Sequence, residues 1–193
     1  MTLEVVRAAV IAPVSWRNGG GRTRELLALP AGADWRLRIS LADIDADGPF
    51  SAFDGVQRWF AVIEGGGVVL GFAHGERRLG VGSEPLCFDG ATAPGCRLVA
   101  GPTRDLNLML RAGARGRMER ARSGVAWNAN DPWRACFVGG RACWQGSADG
   151  VGGEGIELEP DSLLLGLPPG PCRLEAKGPE PMFWIAAEPG AWA

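Results

Sequence analysis

The sequence predicts an almost entirely β-sheet protein, built as two weakly similar β-barrels packed as one compact unit. Three observations carry this prediction. Apolar runs of about four to eight residues recur along the chain and end at Gly, Pro or Asp, as strands do. No window of about fifteen residues repeats its apolar positions with the 3.6-residue period of a helix. The length of 193 residues suits one or two small domains with a proper core.

Eight apolar runs are predicted as strands, and the first shows the strand pattern best. In residues 35–41 the odd-numbered positions are apolar and face one way, whereas Arg36, Arg38 and Ser40 face the other. Residues 64–67, Glu-Gly-Gly-Gly, lie between two runs and predict a tight hairpin. The predicted strands are residues 35–41, 58–64, 68–72, 106–110, 135–138, 162–166, 172–175 and 182–187.

The chain is predicted to divide near residue 113. Residues 1–113 are rich in motifs, and residues 114–193 continue the pattern of short strands and Gly/Pro turns without a repeated sequence. Residues 111–122 are basic and contain glycine, so we interpret them as a connection. This stretch lacks the interleaved aromatic residues on which nucleic-acid bases stack, which argues against a nucleic-acid site.

Composition and charge exclude several classes of protein. A formal net charge of −2 gives no global attraction to nucleic acid or to an anionic membrane. Five cysteines without a C-x-x-C pair indicate buried thiols in a reducing compartment. Glu4 and Arg7 interrupt the first apolar run, so no secretion signal is expected, and no run has the ~18 apolar residues of a membrane helix. The predicted location is the cytoplasm.

No metal and no other cofactor are predicted. His74 is the single histidine, whereas metal-binding barrels use several imidazole and carboxylate ligands together. Its setting, Ala-His-Gly-Glu, predicts a surface turn, which also argues against a histidine-dependent nucleophile. Residues 43–48, Asp-Ile-Asp-Ala-Asp-Gly, resemble the start of a calcium loop, but Asp54 stands at the twelfth position and strands flank the segment in place of helices. We interpret it as an acidic turn.

Four motifs occur in order over about the first hundred residues. Residues 16–25 read Trp-Arg-Asn-Gly-Gly-Gly-Arg-Thr-Arg-Glu, whose glycines could turn N–H groups toward an anion, although no P-loop lysine follows. Residues 38–42 read Arg-Ile-Ser-Leu-Ala, residues 48–58 read Gly-Pro-Phe-Ser-Ala-Phe-Asp-Gly-Val-Gln-Arg, and residues 101–109 read Gly-Pro-Thr-Arg-Asp-Leu-Asn-Leu-Met. With these four motifs the chain resembles the HutD/Ves family. It departs from the family pattern at Asp54, where proline is expected, and at Gln57, where an acidic residue is common.

The resemblance implies a fold, a setting and a function. The fold is a metal-free, cupin-like (jelly-roll) double barrel, with residues 1–113 as the N-terminal and residues 114–193 as the C-terminal cupin-like half. The setting is bacterial histidine utilisation, for a family without a firmly assigned enzymatic activity. The implied function is a non-catalytic accessory protein or sensor that binds a small carboxylate, with N-formylglutamate or a related pathway acid as the candidate ligand.

The residues themselves indicate a pocket for an acid. Arg38 and Ser40 share the polar face of one strand, and a buried arginine there needs an anionic partner such as a ligand carboxylate. Arg58 opens an apolar strand, where its guanidinium could hold the same anion through two hydrogen bonds. The predicted ligand-binding residues are Trp16, Asn18, Thr23, Glu25, Arg38, Ser40, Phe50, Ser51, Arg58, Asp105 and Asn107.

Three alternatives stay open at this point. Glu25, Asp105 and the two arginines could pair with one another as a structural network. The protein could be a metal-independent cupin enzyme of the isomerase or lyase type, with Glu25 and Asp105 as acid and base. It could also be a protein–protein adaptor anchored by some of its eight tryptophans. The sequence leaves the oligomeric state open, a homodimer included.

Overall fold

The predicted fold class is confirmed by a computed structural model of the protein, which describes residues 2–146 and 155–188. Eighteen strands and two short 3-10 turns, Ala8–Val10 and Gly90–Thr92, make up the regular structure of these residues. None of the described residues forms a helix long and apolar enough to cross a membrane. In chain order the strands are β1 (Glu4–Arg7), β2 (Val14–Ser15), β3 (Gly21–Leu29), β4 (Leu37–Ile44), β5 (Gly48–Pro49), β6 (Val56–Gly65), β7 (Val68–Phe72), β8 (Gly75–Leu79), β9 (Leu86–Asp89), β10 (Gly95–Leu98), β11 (Thr103–Arg111), β12 (Gly116–Ala121), β13 (Trp133–Val138), β14 (Ala142–Gly146), β15 (Ile156–Leu158), β16 (Ser162–Leu165), β17 (Cys172–Ala176) and β18 (Met182–Ala187).

Residues 11–115 form one compact unit of two antiparallel sheets. The larger sheet has the strand order β2-β3-β4-β11-β6-β9, and the smaller one has the order β5-β10-β7-β8. The apolar interior of this unit is filled by Ile44, Phe50, Phe60, Val62, Val68, Leu70, Leu79 and Cys96. Because side chains alternate along a strand, each strand of the larger sheet presents one set of residues to this interior and the other set to its opposite face.

The second unit combines residues 2–10 with the described residues from 116 onward. Its sheets have the orders β1-β16-β13-β18-β12 and β15-β14-β17. Strand β1 belongs here because Glu4–Arg7 pair with β16. The interior is packed with large side chains, among them Trp144 and the parallel rings of Trp127 and Trp184, whose centroids lie 4.8 Å apart.

The eight predicted strands all exist, with boundaries shifted by a few residues, and two other predictions are wrong. Residues 64–67 do not form a hairpin, because β6 and β7 lie in different sheets. The glycines serve as a corner instead: Gly65 and Gly67 have positive φ, and a side chain at Gly66 would collide with the Ala100 carbonyl. Residues 111–122 are more than a connection, because they contain the edge strand β12, whose Met118 and Ala121 are buried.

Candidate functional site

A cavity of about 700 Å³ lies in the unit formed by residues 11–115. Its walls come from β2, β3, β4, β6 and β11, and from the segments that follow β2 and β5. The side chains include polar, charged and aromatic groups, as is usual for small-molecule sites. The lining residues are Val14, Ser15, Trp16, Arg17, Asn18, Thr23, Glu25, Arg38, Ser40, Ala42, Pro49, Phe50, Ser51, Phe53, Arg58, Asn107 and Met109.

Ten of the eleven predicted ligand-binding residues line this cavity, and Asp105 does not. Their role in binding stays a prediction. The sequence analysis did not include Arg17 or Met109. Arg17 lies between two predicted residues of the first motif, and Met109 lies two positions after Asn107, so strand alternation alone could have placed it on the same face.

Strand pairing brings the polar side chains of the cavity together. On β4, Arg38 and Ser40 point to the cavity, whereas Leu37 and Ile39 are fully buried on the opposite face. On the neighbouring β11, Asn107 pairs with Ser40. Met109, two residues on, pairs with Arg38 on one side and with Arg58 of β6 on the other. The polar residues of three adjacent strands therefore form one continuous floor.

Three buried polar side chains form a hydrogen-bonded chain that runs from the cavity lining into the interior behind it. Arg58 donates from Nε to Oδ1 of Asn107 at 2.8 Å, and Asn107 donates from Nδ2 to Oδ1 of Asp105 at 2.5 Å. Asp105 is only 1% exposed, and its Oδ2 has no hydrogen-bond partner in the part of the chain described. The Arg58 guanidinium lies 4.4 Å from the ring centroid of Phe50 and 5.6 Å from that of Phe88. These rings hold the guanidinium plane in place through cation–π contact.

Burial shifts the pKa of both charged members of this chain. It raises the pKa of Asp105 to about 7, although the charge of Arg58 and the hydrogen bond from Asn107 act in the opposite direction. It lowers the pKa of Arg58 to about 10, against the attraction of Asp105. The nearby charge of Arg38 lowers the Arg58 pKa further. Arg58 thus remains a cation at neutral pH, whereas Asp105 is poised to exchange a proton.

A second arginine of the cavity already has a carboxylate partner. Arg38 donates from Nε to Glu25 at 2.7 Å, and the Glu25 side chain is about half exposed (48%). This pair, together with the interaction between Arg58 and Asp105, shows that the structural-network alternative is partly realised. It does not account for the whole charge, because the lining carries three arginines, Arg17, Arg38 and Arg58, and one carboxylate, Glu25.

The glycine-rich turn between β2 and β3 shapes the mouth of the cavity. Trp16 donates from its indole Nε1 to Thr23 Oγ1 at 2.8 Å, which fixes the ring as a wall. Gly21 packs so closely on the Trp16 ring and the Asp43 carbonyl that a Cβ there would collide. The turn is not an open anion nest, because the N–H of Gly19 donates to the Trp16 carbonyl and that of Gly20 to Asn18 Oδ1.

Asp43 and Asp45 of the calcium-like segment share one arginine partner, Arg22, and Asp47 has a different partner. Asp43 accepts hydrogen bonds from Arg22, Arg24 and Arg104. Burial alone would raise its pKa, but these arginines together lower it. Asp47 accepts from the backbone N–H of Leu98 instead. Across residues 2–146 and 155–188 no three His, Cys, Asp or Glu side chains are grouped to hold a metal ion.

Comparison with known proteins identifies relatives over almost the whole chain. The family model described as HutD matches residues 8–183. A protein named Ves from Citrobacter koseri is 34% identical over 152 residues, which cover 67% of this chain and 76% of that protein. An uncharacterized 21.2 kDa protein from the region 3' of hutC in Pseudomonas putida is 35% identical over 111 residues, or 55% of this chain. That match spans 57% of the P. putida protein.

Solved structures extend the similarity to the complete fold. HutD from Pseudomonas fluorescens SBW25, in a formate condition, superimposes with a TM-score of 0.80 at 25% identity and covers 97% of this chain and 98% of that one. A conserved protein of unknown function from Pseudomonas aeruginosa PAO1 gives a TM-score of 0.82 at 26% identity, covering 97% and 100%. A bacterial pirin from Escherichia coli, in complex with nickel(II), shares only the fold, with a TM-score of 0.64 at 11% identity and coverage of 97% and 99%.

Proposed function

The chain belongs to the HutD family, and we propose that it binds a small carboxylate in the cavity of residues 11–115. In this proposal the protein is a non-catalytic accessory or sensor of histidine utilisation in the cytoplasm. The relatives support the setting, since one of them is encoded beside hutC and another is HutD itself. The cavity supports the ligand class.

The observation that carries the proposal is the state of Arg58. This guanidinium is 9% exposed and faces the cavity. Within the described residues its hydrogen bond to the protein runs through Nε, and its two terminal nitrogens have no protein partner there. A buried cation with open donors is costly unless an anion binds it. A carboxylate fits because its two oxygens match the planar fork of a guanidinium.

The rest of the lining suits a small organic acid. Arg38 and Arg17 add positive charge, and the neutral groups of Asn18, Ser40 and Ser51 offer hydrogen bonds to a polar ligand. Phe50, Phe53 and Met109 add apolar surface to the lining for a short carbon chain. N-formylglutamate combines carboxylates, an amide and such a chain, and formate is the smallest acid of the same kind. Both serve as probes.

A catalytic role for Glu25 and Asp105 has less support from the geometry. Asp105 does not line the cavity, because Asn107 stands between it and Arg58. Glu25 is engaged by Arg38 at the mouth. An acid and a base must both reach the substrate directly or through one water molecule, and here only Glu25 does so.

Calorimetric titration of the purified protein tests the proposal. N-formyl-L-glutamate and sodium formate are the ligands, and formamide is the neutral control of the same size as formate. We expect saturable binding of the acids and none of formamide, because the amide lacks the charge that Arg58 requires. Equal binding of formate and formamide, or no binding of either acid, would overturn the proposal.

A further inference from the structure

Asp105 is an almost fully buried carboxylate behind the floor of the cavity. Its Oδ1 is held by Asn107, whereas Oδ2 is buried without a partner among the described residues. Arg58 is the cation that offsets its charge, across Asn107. Without a ligand, the positive charge of Arg58 is therefore balanced by the negative charge of Asp105.

An added anion disturbs this balance. A ligand carboxylate on the terminal nitrogens of Arg58 would put two negative charges around one guanidinium, in a place where burial already disfavours charge. Arg38 does not supply the missing positive charge in full, because Glu25 is bonded to it, and the third lining arginine, Arg17, is exposed to solvent. The simplest way to restore balance is to add a proton to the buried carboxylate, since protons and anions on coupled sites bind together.

We infer that a small acid enters the cavity as an anion together with one proton from solvent, and that Asp105 takes up this proton at Oδ2. The inference rests on the proposed function and makes Asp105 a positioning and charge-balancing residue of the site. No bond other than the new O–H forms, and no redox partner is required. The bound state then carries a neutral Asp105, a cationic Arg58 and the ligand carboxylate.

The other titratable groups around Asp105 do not fit this role. Cys96 on β10 interacts with it electrostatically, but burial and the charges of Asp105 and Asp47 raise the pKa of that thiol to about 12, so it already holds its proton. Asp43 on β4 also acts on Asp105, but its three arginine partners keep its own pKa low. Arg58 on β6 is already protonated at neutral pH. Asp105 alone stands near its midpoint there.

The test is calorimetric titration of formate and N-formyl-L-glutamate at about pH 8, in phosphate and in Tris. These buffers differ in ionisation enthalpy, so the difference in observed heat gives the number of protons taken up. We expect about one proton per acid bound by the wild type, falling toward zero near pH 5.5, where Asp105 is already protonated. The affinity should fall by up to about tenfold per pH unit above pH 7.

Two variants make the result specific. Asp105→Asn keeps an acceptor for Asn107 and should bind the acids with no buffer-dependent heat. Asp131→Asn, a carboxylate of the other unit that pairs with Arg117, should behave like the wild type. If Asp105→Asn does not fold, the wild-type pH series decides alone. Acid binding without proton uptake, or uptake that persists in Asp105→Asn, overturns the inference and leaves the proposed function standing; absence of any acid binding removes both.

Discussion

Each of the two units buries one arginine against an aromatic ring, and the two arginines are held in opposite ways. Arg58 lies over Phe50 at 4.4 Å, and Arg134 lies over Trp127 at 5.1 Å. Arg134, 1% exposed, donates to the carbonyls of Ala129 and Gly170 and to the sulfur of Cys172. Arg58 makes its hydrogen bond through Nε and otherwise faces a cavity.

The comparison shows that burial alone does not identify a functional arginine. The terminal nitrogens of Arg134 donate to backbone carbonyls, which ties its guanidinium to the loops of Ala129 and Gly170, and its Nε is buried without a partner among the described residues. The surrounding interior is filled by tryptophans. Arg58 lines a cavity, and within the described residues its hydrogen bond to the protein runs through Nε alone. A guanidinium whose terminal donors bond to the protein has a structural role, whereas one whose terminal donors have no protein partner can bind a ligand.

The largest expected effect is on stability, from Arg134→Met. Methionine fills part of the volume but leaves the two carbonyl acceptors buried without donors, at about 1–3 kcal/mol each. We expect the melting temperature to fall by roughly 4–24 °C, while the affinity for the acid probes stays within twofold. Arg141→Met, which removes an exposed pair with Glu159, is the control and should change little. An unchanged melting curve for Arg134→Met would contradict the structural role.

The next effect is on binding, from Arg58→Lys. Lysine keeps the charge and loses the planar fork, and a hydrogen bond to a charged group contributes roughly 1.5–3 kcal/mol. Acid affinity should therefore fall about tenfold to a hundredfold, with a smaller loss of melting temperature than in Arg134→Met. Arg97→Lys, on an exposed pair with Glu76 in the same unit, is the matched control. A variant that melts several degrees lower yet binds the acids as well as wild type would show that Arg58 is structural too.

A third experiment follows stability against pH in Asp105→Asn. The folded pKa of Asp105 is raised from 3.8 to about 7, so its contribution is fully present below about pH 4 and is lost as the pH rises toward 7. Each pKa unit corresponds to about 1.4 kcal/mol. Relative to the wild type, Asp105→Asn should gain several degrees of melting temperature between pH 4 and pH 7 and stay level above pH 8. A constant difference over this range would place the Asp105 pKa near its ordinary value.

The smallest effect is expected from Trp16→Phe. Phenylalanine keeps an aromatic wall but removes the N–H that bonds to Thr23, a partly exposed hydrogen bond that contributes about 1 kcal/mol. Acid affinity should drop only a few-fold, through a less fixed wall. Measuring acid binding by Thr23→Val alone, and by Thr23→Val together with Trp16→Phe, completes a double-mutant cycle. Additive losses would mean that the Trp16–Thr23 bond does not shape the cavity.

Much of the cavity was predictable because strand alternation is a local property. The polar positions of residues 35–41 indicated that Arg38 and Ser40 face one way, and the structure places both on the cavity floor. Asp105 shares the face of Asn107 by the same rule, yet lies beyond the cavity wall. How deep a side chain lies inside a barrel depends on how the sheets close over its strand, and no local sequence pattern determines that depth.

The predictions that were wrong or missing have the same cause, because they also depend on contacts between distant parts of the chain. The glycines at residues 64–67 indicated a turn, and that turn exists. They did not indicate that the chain passes there from one sheet to the other. The role of Arg134 could not be predicted from the sequence either, because its partners Ala129 and Gly170 accept through backbone carbonyls, which every residue type has. Interactions made by the backbone between distant segments are the part of a fold that residue types do not reveal.

The pairing of β1 with β16 matters for the order in which the protein is made. Residues 11–115 are contiguous and can fold on the ribosome as soon as they emerge, since domains generally fold as units during synthesis. Strand β1 is translated before them, but its partner, Ser162–Leu165, emerges roughly 150 residues later, or about 10–30 s at ordinary elongation rates. The nascent chain must therefore leave β1 unpaired during this interval.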